Sequence, residues 1–225
     1  MAPGRPSPLP GPSQPAATDR QTWHDEGPVC PGVCMTSLPS APPLAATLAA
    51  MGLAPAIGEP LAGRLPRLTL QPGQPLLAQG AIQESAFYIE RGIARACHYA
   101  RDGQERCKEF YFEGELCLLY DSWLSGSPAR YQLEAVTTLQ LVRVPLALLD
   151  EPAWQPVCMA LLRQQLCYKE RKEAFLLLHS PEERYRELCR TFPHWPARLT
   201  QVQLANYIGI SPVTLSRIRR RINTG

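Results

Sequence analysis

The chain has 225 residues, 45% of them hydrophobic, and a formal net charge of +3 at neutral pH. That length holds one large domain or two small ones, and either can bury a real core. No apolar run reaches the roughly 18 residues needed to span a bilayer, and prolines break the N-terminus before the apolar stretch of a signal peptide can form, so a soluble cytoplasmic protein without a membrane partner is expected.

The first forty residues hold nine of the 24 prolines, mixed with Ser, Ala and Gly. Such a stretch has little to bury and is expected to be a disordered tail over 1–40. Met35 lies where this composition fades and marks an alternative start of translation. Cys30 and Cys34 form a C-x-x-x-C pair in this context, a weaker spacing than C-x-x-C and without a second pair nearby; unstructured thiols are expected, and no metal or cofactor.

Residues 42–55 (PPLAATLAAMGLAP) predict a short Ala/Leu helix between Pro43 and Gly52. From about Leu65 to Val144 the pattern changes to short strands. RLTLQ, the Pro72-Gly73 turn and QPLLAQ come first, then AFYIE, Arg91-Gly92 and IARACHYA. Arg101-Asp102-Gly103-Gln104 separates that run from ERCKEFYF, and Asp-Gly between two such runs marks a hairpin. RYQLEAV and LQLVRV follow around Thr137-Thr138. An antiparallel roll or barrel of about eight strands over 41–150 is expected, a scaffold that names no function by itself. Cys97, Cys107, Cys117, Cys158, Cys167 and Cys189 sit in apolar or periodic segments and read as reduced thiols acting as small hydrophobes.

Residues 154–179 lack glycine, and their only proline, Pro156, falls in the first turn. The helix they predict would run ~40 Å, within a segment spanning 151–179. Its apolar rows, Cys158, Leu162 and Leu166 and then Phe175, Leu176 and Leu178, suit a two-fold dimer contact; the alternative is a helix buried lengthwise on the roll. Ser180-Pro181-Glu182-Glu183 then forms a capping box that starts a new helix carrying Tyr185, Leu188 and Cys189.

From Pro181 to Gly225 there are eight arginines against three glutamates, a local balance of +5 on a remainder of −2. A basic module on a slightly acidic body suggests a polyanionic partner. Within 180–225, TQVQLANYIGISPVTLSRIRRRI is the most informative segment. Thr200 caps a helix whose inward residues are Leu204 and Ile208, with Ala205 small where a second helix must pass. Gly209 supplies the positive φ of a tight turn, Ile210 plugs the core, Ser211 caps the next helix and Pro212 sits at its first position. That helix turns Leu215, Ile218 and Ile222 inward and shows Val213, Ser216, Arg217 and Arg220 outward. A short helix with such an outer face suits a DNA major groove. The expected DNA-contacting residues are Thr200, Gln201, Ser211, Val213, Thr214, Ser216, Arg217, Arg219, Arg220 and Arg221.

At these residues the chain resembles the Crp/Fnr regulators. GISPVTLSRIRRRI is similar to a recognition helix of that family, FLLLHSPEERYREL to the end of its dimerisation helix and the junction beyond, and FYFEGELCLLYDSWLSGSPARYQLEA lies where its effector cassette falls. The resemblance covers about 60–222. It implies an α+β chain: an N-terminal antiparallel, cyclic-nucleotide-binding-like β-roll, a long dimer helix and a C-terminal winged helix-turn-helix. The partners it implies are a double-stranded DNA operator, a second copy of the chain and RNA polymerase.

Two departures follow from the same comparison. Members that bind cyclic nucleotides carry Gly-Glu-Leu and, about ten residues later, an Arg followed by Ser or Thr; the Glu takes the ribose hydroxyl and the Arg the cyclic phosphate. Gly114-Glu115-Leu116 matches the first half, but Arg130 lies fifteen residues after Glu115 and precedes Tyr131, so the phosphate half is unsupported. Val213 stands where many relatives place a Glu that accepts from cytosine N4, which changes the expected operator. Iron–sulfur members need four ligating cysteines, three clustered near the N-terminus, and only Cys30 and Cys34 are available there.

No G-x-S-x-G, H-E-x-x-H or P-loop string occurs, and His24, His98, His179 and His194 are dispersed, so the sequence offers no catalytic constellation. The function expected is a dimeric, sequence-specific DNA-binding regulator whose roll senses a signal. The alternative is an effector-binding module that acts without DNA, and the arginine-bearing helix separates the two.

Overall fold

The computed structural model describes residues 41–100 and 105–223. The expectations for the Pro-rich tail, for Cys30 and Cys34 and for the Asp102-Gly103 turn lie outside them.

The described residues hold eight strands: β1 (Arg67–Leu70), β2 (Pro75–Leu77), β3 (Ser85–Arg91), β4 (Ala94–Tyr99), β5 (Glu105–Tyr111), β6 (Leu116–Cys117), β7 (Gln132–Ala135) and β8 (Leu139–Pro145). They form two four-stranded antiparallel sheets, ordered β1-β8-β3-β6 and β2-β7-β4-β5, which face each other as a roll. Turn chemistry enforces the folding back. At Gly92, with φ of 95°, a Cβ would come within 2.3 Å of the Thr138 carbonyl oxygen, so the β3–β4 turn tolerates only glycine. The seven expected strand runs all appear, and the two-residue β6 is added to them.

Strand β3 is buried on both faces, which explains its unbroken apolar run. Phe87 and Ile89 point into the roll with Ala94, Ala96, Leu133, Leu139 and Leu141. Ala86 and Tyr88 point the other way, into a second core that receives α1 (Leu44–Ala50), α2 (Pro55–Arg64) and the start of α4 (Gln155–Leu178). Leu44, Leu48, Trp154, Val157 and Leu161 close that core, each burial of this kind contributing about 1.5–3 kcal/mol. Helix α2 is absent from the sequence-based expectation: Gly58, Pro60 and Gly63 depress its propensity, and packing against α1 and Leu53 overrides it.

Helix α4 matches the long helix expected, but its apolar rows divide differently. Cys158 faces the roll-side core and donates its thiol to the Leu149 carbonyl at 3.1 Å, and Leu162 is half-buried, whereas Leu166 is 63% exposed. An α-helix turns about 100° per residue, so positions four apart drift by about 40° and a row of i, i+4 steps leaves one face for another. The second row parts as well, with Phe175 packed inward and Leu178 exposed. The apolar surface left open on α4 is Met159, Leu166, Leu177 and Leu178.

After α4 the described residues form four helices joined by short turns: α5 (Pro181–Thr191), the single turn α6 (Trp195–Arg198), α7 (Gln201–Ile208) and α8 (Pro212–Asn223). The wing that the resemblance implies is not among them. A third core joins this module to the outer face of β4 and β5, with Ile93, Cys97, Cys107 and Phe110 packed among Trp195, Leu204, Tyr207, Ile208, Leu215 and Ile218.

Candidate nucleic-acid interface

The two helix starts are fixed by side-chain caps. The Thr200 hydroxyl accepts from the Gln203 amide at 3.2 Å while Gln203 accepts from the Thr200 amide at 2.8 Å, a full capping box at α7. The Ser211 hydroxyl accepts from the Thr214 amide at 3.1 Å and hydrogen-bonds the Thr214 hydroxyl at 2.8 Å, capping α8. Between them Gly209 takes φ of 72° and ends α7, and Ile210 donates back to the Ala205 carbonyl at 3.0 Å. Leu204, Ala205, Ile208, Leu215 and Ile218 are buried between the helices, with Ile222 packed beside them. This is a helix-turn-helix hairpin, with α8 as its second helix.

The outer face of α8 carries Val213, 61% exposed, and the exposed Arg217 and Arg220 at i, i+4 and i+7. Arg221, also exposed, flanks that strip and pairs with Glu182 of α5, which holds Arg186 at 2.9 Å as well. The hydrogen bond from Arg186 and the charges of both arginines keep the Glu182 carboxyl below its usual range. Ser216 and Arg219 are half-buried toward the module. Besides the caps Thr200 and Ser211, two more of the residues named from the sequence serve the hairpin itself: Thr214 completes the Ser211 cap, and Gln201 donates to the Pro212 carbonyl at 2.9 Å, bracing the start of α7 against the start of α8.

Two arginines hold this module in place, in roles that no local pattern in the chain announces. Arg184 of α5 donates to the carbonyls of Leu176 at 2.6 Å, His179 at 3.0 Å and Ile208 at 3.1 Å, setting one guanidinium at the C-terminal ends of α4 and α7. Arg198 reaches Glu113, just past the end of β5. Trp195 stands between the two halves: its ring stacks on Phe192 at 4.2 Å and Phe112 at 5.1 Å and meets Tyr207 edge-on at 4.9 Å.

The effector residues expected from the resemblance lie at two places in the roll. Gly114, with φ of 88°, forms the turn between β5 and β6 and donates to the Ile89 carbonyl at 2.9 Å. Glu115 closes the same turn by accepting from the Phe112 amide at 3.0 Å, and Leu116 is the buried first residue of β6. Arg130 lies beyond α3 (Tyr120–Ser125), exposed and paired with Asp121 at 3.2 Å. Glu115 and Arg130 therefore have separate partners, and Gly114-Glu115-Leu116 is a strand connection.

Residues 67–151 match the cyclic nucleotide-binding domain family. Among solved structures, FixK2 from Bradyrhizobium japonicum is similar with a TM-score of 0.59 at 16% identity, over 71% of this chain and 85% of that one. The Crp/Fnr family transcriptional regulator TTHA1359 from Thermus thermophilus gives 0.58 at 17% identity, over 71% and 86%. This is the Crp/Fnr fold. CLP, the c-di-GMP-responsive global regulator of Xanthomonas campestris, shares it with a TM-score of 0.58 at 15% identity, over 74% of this chain and 90% of its own. A comparison with curated protein sequences finds no match. Within the Crp/Fnr fold, α4 is the long connecting helix and α7–α8 the helix-turn-helix; no helix among the described residues is long and apolar enough to cross a membrane.

Proposed function

We propose that the chain is a dimeric, sequence-specific DNA-binding transcription regulator in which α8 enters the major groove. The observation that carries this reading is the exposed strip Val213, Arg217 and Arg220 on the second helix of a capped helix-turn-helix. A guanidinium one turn into such a helix can take guanine O6 and N7 together, which a lysine imitates poorly. Arg220 and Arg221 extend the positive face toward phosphates. The open apolar positions Met159, Leu166, Leu177 and Leu178 on α4 support pairing with a second copy, which would present two α8 helices about one helical turn of DNA apart. The roll is then the sensor, and RNA polymerase a further partner of the DNA-bound dimer.

Selection of bound duplexes from a random pool tests the reading. An inverted repeat with half-sites about 10 base pairs apart is expected. Recovery of no consensus, with binding that never rises above the non-specific level, would instead favour an effector module acting without DNA.

A further inference from the structure

Strand β5 and helix α4 border a cleft of about 360 Å³ lined by Lys108, Tyr168, Lys169, Lys172, Leu176 and Leu177, together with Glu173. Three ammonium groups meet largely apolar walls there. Lys108 donates to the Tyr131 hydroxyl at 2.6 Å and Lys172 to the Tyr207 carbonyl at 3.0 Å, which leaves further N–H donors on each. Burial, with the charge of Lys169 added, lowers Lys108 to about 8, and burial lowers Lys172 to about 7. Glu109, the next residue of β5, is 8% exposed, and its Oε2 has no hydrogen-bond partner. Burial raises the Glu109 carboxyl although Lys108, Lys169 and Lys172 all act on it, and none of the three donates to that oxygen. The cleft thus gathers three lysine side chains on largely apolar walls, with Lys108 over the Tyr131 ring, Lys172 over the Tyr207 ring and N–H donors on both left for a ligand.

We propose that this cleft is the effector site of the regulator and takes a small amphipathic organic anion, an aliphatic or aromatic carboxylate. Its carboxylate meets Lys108, Lys169 and Lys172, and its apolar body lies on Leu176 and the Tyr168 ring. The cleft has a direct route to the DNA-binding helices: Tyr168 shares a hydrogen bond with the Tyr207 hydroxyl at 3.2 Å, and Lys172 holds the Tyr207 carbonyl in α7. An anion that draws Lys172 toward itself competes with that carbonyl. The regulatory consequence rests on the DNA-binding function proposed above; ligand binding itself does not.

Calorimetry on the full chain without DNA tests the site, with octanoate and benzoate as probes and 1-octanol as the uncharged control. One saturable site per protomer is expected for at least one carboxylate, with affinity at least about tenfold weaker in Lys169→Gln, whose exposed side chain can be changed without disturbing the core. Binding should take up protons near pH 7.5, seen as heats that vary with the ionisation enthalpy of the buffer, because the anion raises Lys108 and Lys172 from their lowered values. The proposal is overturned if neither carboxylate saturates below roughly 10 mM, if Lys169→Gln binds as the wild type does, or if octanol binds as well as octanoate. DNA affinity of the ligand-free protein, measured separately, bears on the function proposed above and leaves this result standing.

Discussion

Arg198 and Glu113, 85 positions apart, form a two-pronged ion pair, with Nη1 donating to Oε2 at 2.8 Å and Nη2 to Oε1 at 2.6 Å. Both side chains are largely covered, and Glu113 also accepts from the Gly92 amide at 2.9 Å. The pair ties the turn before α7 to the end of β5, beside the Trp195 stack, and so joins the helix-turn-helix module to the roll.

Glu113→Gln is expected to cost about 1–3 kcal/mol of stability at neutral pH, because the guanidinium keeps its cover and loses its counter-charge. Burial works against the Glu113 carboxylate, but Arg198 and the Gly92 amide outweigh it and hold the carboxyl below its usual range. A group lowered on folding stabilises above its unfolded pKa of about 4.3 and loses that contribution as pH falls through the folded value. The melting temperature of the wild type should therefore fall more steeply below about pH 4.5 than that of Glu113→Gln. Equal slopes would show that the pair contributes little.

Leu166→Asp should abolish the proposed dimer and leave the roll folded. The side chain is open to solvent in the single chain but would become a buried unpaired charge against a second copy, at a cost of several kcal/mol. Leu162 is a poorer probe, since it is already half-buried within its own chain. Light scattering that found the wild type monomeric at micromolar concentration would contradict the proposed assembly.

Cyclic AMP and cyclic GMP should bind no more tightly than millimolar. Glu115 is committed to the Phe112 amide and Arg130 to Asp121, so no preset pair awaits the ribose hydroxyl and the cyclic phosphate. Micromolar binding by calorimetry, lost in Arg130→Ala, would show that the two come together around a ligand.

Releasing Arg221 from its carboxylate partner should strengthen DNA binding without sharpening it. Glu182→Gln removes one of the two acceptor oxygens and one negative charge near α8. Affinity for all duplexes should rise a few-fold, whereas Arg221→Ala should lower it for all and reduce the salt slope by about one unit. A sequence-dependent effect in either variant would make Arg221 a base reader.

Much of this was legible in the sequence because local chemistry agreed with the final fold. The Ser180 capping box, the Pro72-Gly73 and Arg91-Gly92 turns, and the Thr200–Gly209–Ser211 punctuation are decided within a few residues, and they stand where expected. What escaped is what only tertiary packing decides. Helix α2 forms despite Pro60 because α1 covers it, and Cys158 turns to the roll because α4 lies along it. The Arg198–Glu113 pair, the Trp195 stack and the cleft at Lys108 and Lys172 join residues far apart in the chain, and no spacing rule connects them. Gly114-Glu115-Leu116 is a familiar string that the fold places in the turn between β5 and β6.

The most direct test of the central claim compares Arg217→Ala with the wild type on the selected operator and on random DNA, at one fixed salt concentration. If Arg217 reads a base, the variant loses about 1–3 kcal/mol on the operator, much less on random duplex, and its preference relaxes at one base pair in each half-site. Equal losses on both DNAs would contradict α8 as the reading helix.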